Sequence, residues 1–230
     1  MQVPKSSMAS KVLLDLGRYH LAALAQREEA KGLIAAFQPA HEALAMAKAA
    51  REQAEEAMVG PRVAARFAEA ELERVIRQLS LAAHVADNNA DSGPVYKALF
   101  PKGLDAELRP AGTTQVTVSQ SLRARLDTQP TAAPMKASSL AELDKAIALL
   151  KQALEARTTA EGTLSLARAV EGGARARFVS AYDSNAGAIR QMFPRSRAMQ
   201  DLHFDDFRTR PAAASEGEPP AQPSGPVTPA

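Results

Sequence analysis

Four histidines, His20, His41, His84 and His203, are the side chains in this chain best suited to proton transfer or metal ligation near neutral pH. A zinc hydrolase would place two of them in HExxH, and a dinuclear carboxylate bundle would carry ExxH on two helices. Neither spacing occurs in the sequence. His20 and His84 fall on helix faces, where a histidine reads as a boundary residue or a hydrogen-bonded core residue. The chain has no cysteine, which removes disulfides, thiolate metal sites and cysteine nucleophiles. No phosphate loop of the GxxxxGKS or GxGxxG type is written, and no GxSxG elbow. The carboxylate pairs Asp205-Asp206 and Glu55-Glu56 read as solvated charge. No catalytic, metal-binding or cofactor-binding residue is therefore assigned, and a non-enzymatic protein is expected.

A different pattern is written twice. "DSGPVYKALFPK" begins at Asp91 and "DSNAGAIRQMFPR" at Asp183, and each closes on a basic residue, a gap, Leu or Met, Phe-Pro, and a second basic residue. Asp and Ser are good helix caps, and Pro94 suits a first turn. Lys97 and Arg190 suit the negative end of a helix dipole. Pro101 and Pro194 then end the helix and push Phe100 and Phe193 towards an extended backbone. Each Phe is expected to plug the end of a helical hairpin, which stabilises by roughly 1.5–3 kcal/mol on burial. The chain reads as a tandem pair of such units, although Ile76 and Leu79 have no clear apolar counterparts upstream of Asp183.

The elements that would position these stops are helical. About a fifth of the residues are Ala, there are seven Phe, three Tyr and no Trp, and sheet-favouring residues are scarce. Leu13, Leu16, His20 and Leu24 lie at helical spacing in the first run, widened by Leu14, Leu21 and Ala25. Pro39 starts a fresh helix or kinks a long one. Ala43, Ala47, Ala50, Ala54 and Ala57 form a seam suited to close helix packing, and Gly60-Pro61 offers a stop and a start. Leu72, Ile76, Leu79, Ala83 and Ala86 mark the third run.

Residues 102–138, rich in Pro and Thr, read as a connector along the surface in which "VSQSLRARLDT" can form one short helix. Beyond it, Ser139 and Glu142 form a capping box. Leu140, Leu143, Ile147, Leu150 and Leu154 then repeat at 3, 4, 3, 4 as a coiled-coil-like seam. The second unit contains a turn near Gly162 or a break at Gly172-Gly173. The expected organisation is thus an all-α helical bundle of two similar helical-hairpin units, 9–101 and 139–209. Residues 1–8 and the Pro/Ala-rich 210–230 are expected to be disordered.

Net charge is only +2, so the totals demonstrate no concentrated positive surface. Locally, Arg190, Arg195 and Arg197 could hold an anion, with Arg208 and Arg210 nearby. Phe204 and Phe207 join Phe193 as end-sealing plugs or as anchors of a docking peptide. No signal peptide and no apolar run of about 18 residues is recognisable, so a cytoplasmic protein is expected. The function that fits is an interaction, scaffold or structural subunit with a protein partner or a second copy. The alternative is a helical binder of nucleic acid or anionic lipid using the Arg-rich second half.

Overall fold

The helix-period runs become helices, and further helices form between them. The computed structural model describes residues 3–89 and 93–205. Among the described residues there are helices and no strand: α1 (Ser10–Ala25), α2 (Gly32–Ala57), α3 (Val59–Ala86), α4 (Pro94–Leu99), α5 (Leu104–Leu108), α6 (Gly112–Thr128), α7 (Ala133–Met192) and α8 (Arg197–Asp201). Short 3₁₀ turns lie at Glu28–Ala30 and Pro130–Ala132. The all-α helical bundle is what the structure shows. Two compact units arise from it, and they are not the N- and C-terminal halves. One combines the described residues up to Ala45 with those from Ala174 onward; the other is Met46–Gly173.

In the first unit Leu13, Leu16 and Leu24 of α1 are buried, as their spacing predicts, with Phe37 and Leu44 of α2 and Phe178, Tyr182, Ala186 and Ile189 of α7. Gly17 permits the close approach. A Cβ built there would lie 2.4 Å from the His41 ring and 2.9 Å from Phe178. Pro39 lies inside α2, so it is accommodated in one helix. The N-terminal segment is ordered where described: the Met8 N–H donates to the Lys5 carbonyl, and Pro4 is buried. The expectation of disorder over 1–8 therefore fails for residues 3–8, because the turn docks its proline. Residues 206–230, including the expected tail 210–230, lie outside the described residues.

The second unit has its own core. Leu72, Val75, Ile76, Leu79 and Ala83 of α3 meet Val95 and Leu99 of α4, Leu122 and Leu126 of α6, and Leu143, Ile147 and Leu150 of α7. Three readings need correction here. Residues 102–138 are not a surface connector: they form α5, α6 and the start of α7, and Leu122 and Leu126 are fully buried. The helix read from "VSQSLRARLDT" is present but begins earlier, at Gly112. Nor does Gly60-Pro61 turn the chain. Met58 keeps helical angles, its N–H donates to Ala54 and its carbonyl accepts from Arg62, so helical bonding crosses from α2 into α3. Pro61 is tolerated there because it falls in the first turn of α3.

The third correction concerns α7. It runs 60 residues through Ser139, Gly162 and Gly172-Gly173 without a break, and the Ser139/Glu142 pair is interior, not a cap. Glycine in a helix costs only about 1 kcal/mol against Ala, too little to halt a helix with favourable residues on both sides. The seam Leu140 to Leu154 is real and is spent on the core: its three central members are buried, and Leu140 and Leu154 pack against the cluster. The Ala seam of α2 is used in part, with Ala47 and Ala54 buried.

Candidate functional site

The repeated stop is a repeated local structure. The Phe100 N–H donates to the Tyr96 carbonyl and the Phe193 N–H to Ile189, each closing a helix end. The Phe100 carbonyl then accepts from Gly103, and the Phe193 carbonyl from Ser196, so each Pro occupies the second position of a turn. A five-residue helix follows both times, α5 and α8. Gly103 leaves the first turn at φ 83°, which glycine adopts freely. Ser196 leaves the second by accepting the Met199 N–H on its hydroxyl.

What precedes the two stops differs. Asp183 and Ser184 lie inside α7, where the Ser184 hydroxyl bonds the Ser180 carbonyl and caps nothing. Asp91 and Ser92 lie outside the described residues. The cap of α4 is Asp87, whose carboxylate accepts from the Val95 and Tyr96 N–H groups at 3.1 and 2.8 Å. Gly93 makes room for it, since a Cβ there would fall 2.1 Å from the Asp87 carboxyl carbon. The two plugs differ as well. Phe100 is buried in the second unit's core, against Tyr96, and Pro101 is exposed. Phe193 is half-buried and stacks on His203, with Pro194 exposed. The two hairpin units are thus replaced by one helix-end motif used in two settings.

Phe204 seals the first unit. It is buried and stacks on His20 at 4.8 Å, and Tyr182 meets it edge-on. His20 is fully buried. Its Nδ1–H donates to the His203 carbonyl at 2.8 Å, and its Nε2 accepts from Asn185 Nδ2 at 3.0 Å. Both ring nitrogens are satisfied in the neutral form, and burial lowers the pKa to about 4. Such a histidine holds structure together. Burial likewise raises the Tyr182 phenol above its usual range. Phe207 lies outside the described residues.

Arg190, Arg195 and Arg197 are brought together by the turn at Pro194, in a shallow cleft completed by Gln200 and Asp201. Asp201 is 3.7 Å from Arg197 and offsets part of the charge. In the second unit, Arg51 reaches Glu171 at 2.7 Å and Glu55 at 2.5 Å. Arg125 pairs with the buried Glu107 and donates to the Leu99 carbonyl, tying α6 to α4 and α5.

A further feature lies on the outer side of α3. Val59, Val63, Phe67, Leu81 and Val85 of α3 are exposed, Phe67 by 74%, Leu81 by 65% and Val85 by 61%. At about 100° per residue these five fall within an arc of about 80°. Ala65, Ala68, Leu72, Ile76, Leu79 and Ala83 occupy the opposite side and are the core face. The outer face of α3 thus carries two exposed apolar clusters, Val59/Val63/Phe67 and Leu81/Val85, with the exposed Arg74 and Arg77 between them. The signal was legible as i, i+4 pairs off the core stripe, 59/63/67 and 81/85. No helix among the described residues is long and apolar enough to cross a membrane. No family model, curated protein or solved structure matches this chain.

Proposed function

We propose that this protein is a non-enzymatic interaction or scaffold subunit whose binding surface is the outer face of α3. The observation that carries this is the pair of unburied apolar clusters, Val59/Val63/Phe67 and Leu81/Val85, on one side of α3 opposite its core face. Apolar side chains clustered on an exposed helix face mark interaction sites. Phe67 supplies the kind of aromatic anchor on which binding energy concentrates.

The test is capture of partners from the native cell with the full chain and with Phe67→Glu/Leu81→Glu. Both side chains are exposed, so the variant keeps its helical circular dichroism and melting temperature. Loss of a salt-resistant complex in the variant supports the reading; identical capture by both proteins refutes it. The second reading, an anion binder, draws on the cleft of Arg190, Arg195 and Arg197. It would give affinity for single-stranded nucleic acid or anionic vesicles that falls steeply with salt and falls further in Arg190→Ala/Arg195→Ala.

A further inference from the structure

We infer that the occupant of the outer α3 face is a second copy of this chain, lying antiparallel about a two-fold axis at the level of Leu72. The inference rests on the reading of that face as an interaction surface and names its partner. Val63, Phe67, Ala70, Arg74, Arg77 and Leu81 follow one another at steps of 4, 3, 4, 3 and 4 on the exposed side of α3. That is the spacing of a helix-pairing seam. With Val59 and Val85 at its ends, it covers almost all of a 28-residue helix, about 40 Å at 1.5 Å per residue.

Both directions can lay seam on seam, but the antiparallel one keeps each arginine off its own counterpart. An antiparallel copy centred at Leu72 sets Val59 against Val85, Val63 against Leu81, Phe67 against Arg77 and Ala70 against Arg74, so every seam position finds another seam position. A two-fold interface requires this property. The apolar ends meet apolar ends. Each Arg77 guanidinium lies over a Phe67 ring, a favourable cation–aromatic contact, and each long Arg74 faces a small Ala70.

A parallel pairing in register would place Arg74 on Arg74 and Arg77 on Arg77, setting like charges together inside the contact, where they are costly. The arginines therefore choose orientation and register, as single polar residues do in helix pairs. They come with partners already in place. Glu71 holds Arg74 at 2.6 Å through two hydrogen bonds, and Glu73 lies 3.9 Å from Arg77. In the antiparallel pair Glu71 also falls beside Arg74 of the other copy, because 71 and 74 stand almost symmetrically about 72. The chain's own segment after Phe207 is an unsuitable occupant, since Val227 is its only large aliphatic residue and it has no aromatic.

The chain has no cysteine, so cross-linking can be read without background. The full chain is prepared as Val63→Cys and as Leu81→Cys, and the two are oxidised separately and mixed. The antiparallel pair predicts a disulfide-linked dimer of the 24.4 kDa chain in the mixture. Either variant alone gives none, because its two thiols stand roughly 27 Å apart along the helix and a disulfide needs Cβ atoms about 4 Å apart. Phe67→Glu, added to both, lowers dimer affinity by roughly tenfold or more, about 1.4 kcal/mol or above.

Self-linking of Val63→Cys, or a mixture that yields no linked dimer, overturns the inference. Partner capture separates the two levels. If no mixed dimer forms yet Phe67→Glu/Leu81→Glu still loses a different protein, the surface stands and the second copy is wrong. If the capture is also unchanged, the surface reading falls with it.

Discussion

Phe100 and Phe193 show how far identical local chemistry determines the fate of a side chain. Both follow a helix end, precede Pro and receive the same pair of backbone hydrogen bonds. Phe100 is then enclosed by the second unit's core, whereas Phe193 keeps one side open against His203. Phe100→Ala should cost about 3–5 kcal/mol in urea unfolding, the range for emptying a buried Phe site, and Phe193→Ala clearly less. Equal losses would mean that the two are equivalent plugs after all. His20 supplies a second prediction. Its folded pKa is about 4, below the ordinary 6.5, so between those values the unfolded chain takes up a proton that the folded one refuses. Stability from this residue is fully present above pH 6.5 and is lost as pH falls towards 4, by up to about 3 kcal/mol. The urea midpoint of the native protein should drop more from pH 7 to pH 4.5 than that of His20→Gln. Parallel curves would contradict the assignment.

At the scale of elements, the apolar periodicities were readable and the ends of helices were not. Leu13, Leu16, His20 and Leu24 line the core as spaced, and so do Leu72, Ile76, Leu79 and Ala83. Gly162, Gly172-Gly173, Gly60-Pro61 and Ser139 all carry boundary signals, and helices pass through or beside each. A glycine or a cap residue shifts the local balance by about 1 kcal/mol, which core packing readily outweighs, through Leu143, Ile147 and Leu150 on α7 and Leu72, Ile76 and Leu79 on α3. The cap that does operate, Asp87 on α4, acts across a loop, so short-range motifs could not disclose it. This has a direct consequence. Gly162 and Gly172 are helical with open space around a built Cβ, so Gly162→Ala and Gly172→Ala should each stabilise by roughly 0.5–1 kcal/mol. Gly17→Ala should destabilise instead, because its Cβ would collide with the His41 ring. A loss of stability at Gly162 or Gly172 would show that the backbone bends there.

For the whole molecule, the sequence announced a helical bundle, and the order in which its helices associate was hidden. Residues 102–138 are too polar to look like core, yet they place Leu122 and Leu126 among the most buried side chains. The outer face of α3 is hidden in the sequence for a related reason. Val59, Val63, Phe67, Leu81 and Val85 look like ordinary helix-period apolar residues until the structure shows that Leu72, Ile76 and Leu79 already fill the core side. Only then does the second stripe stand out as unspent. Its central consequence is association through α3, and sedimentation velocity of the full chain over a dilution series tests it most directly. The native chain should pass from dimer to monomer as it is diluted, at a midpoint that changes little with salt. Phe67→Glu/Leu81→Glu should sediment as a monomer at every concentration with its helical content intact. A native chain that is monomeric throughout, or a variant that dimerises as the native chain does, would contradict it.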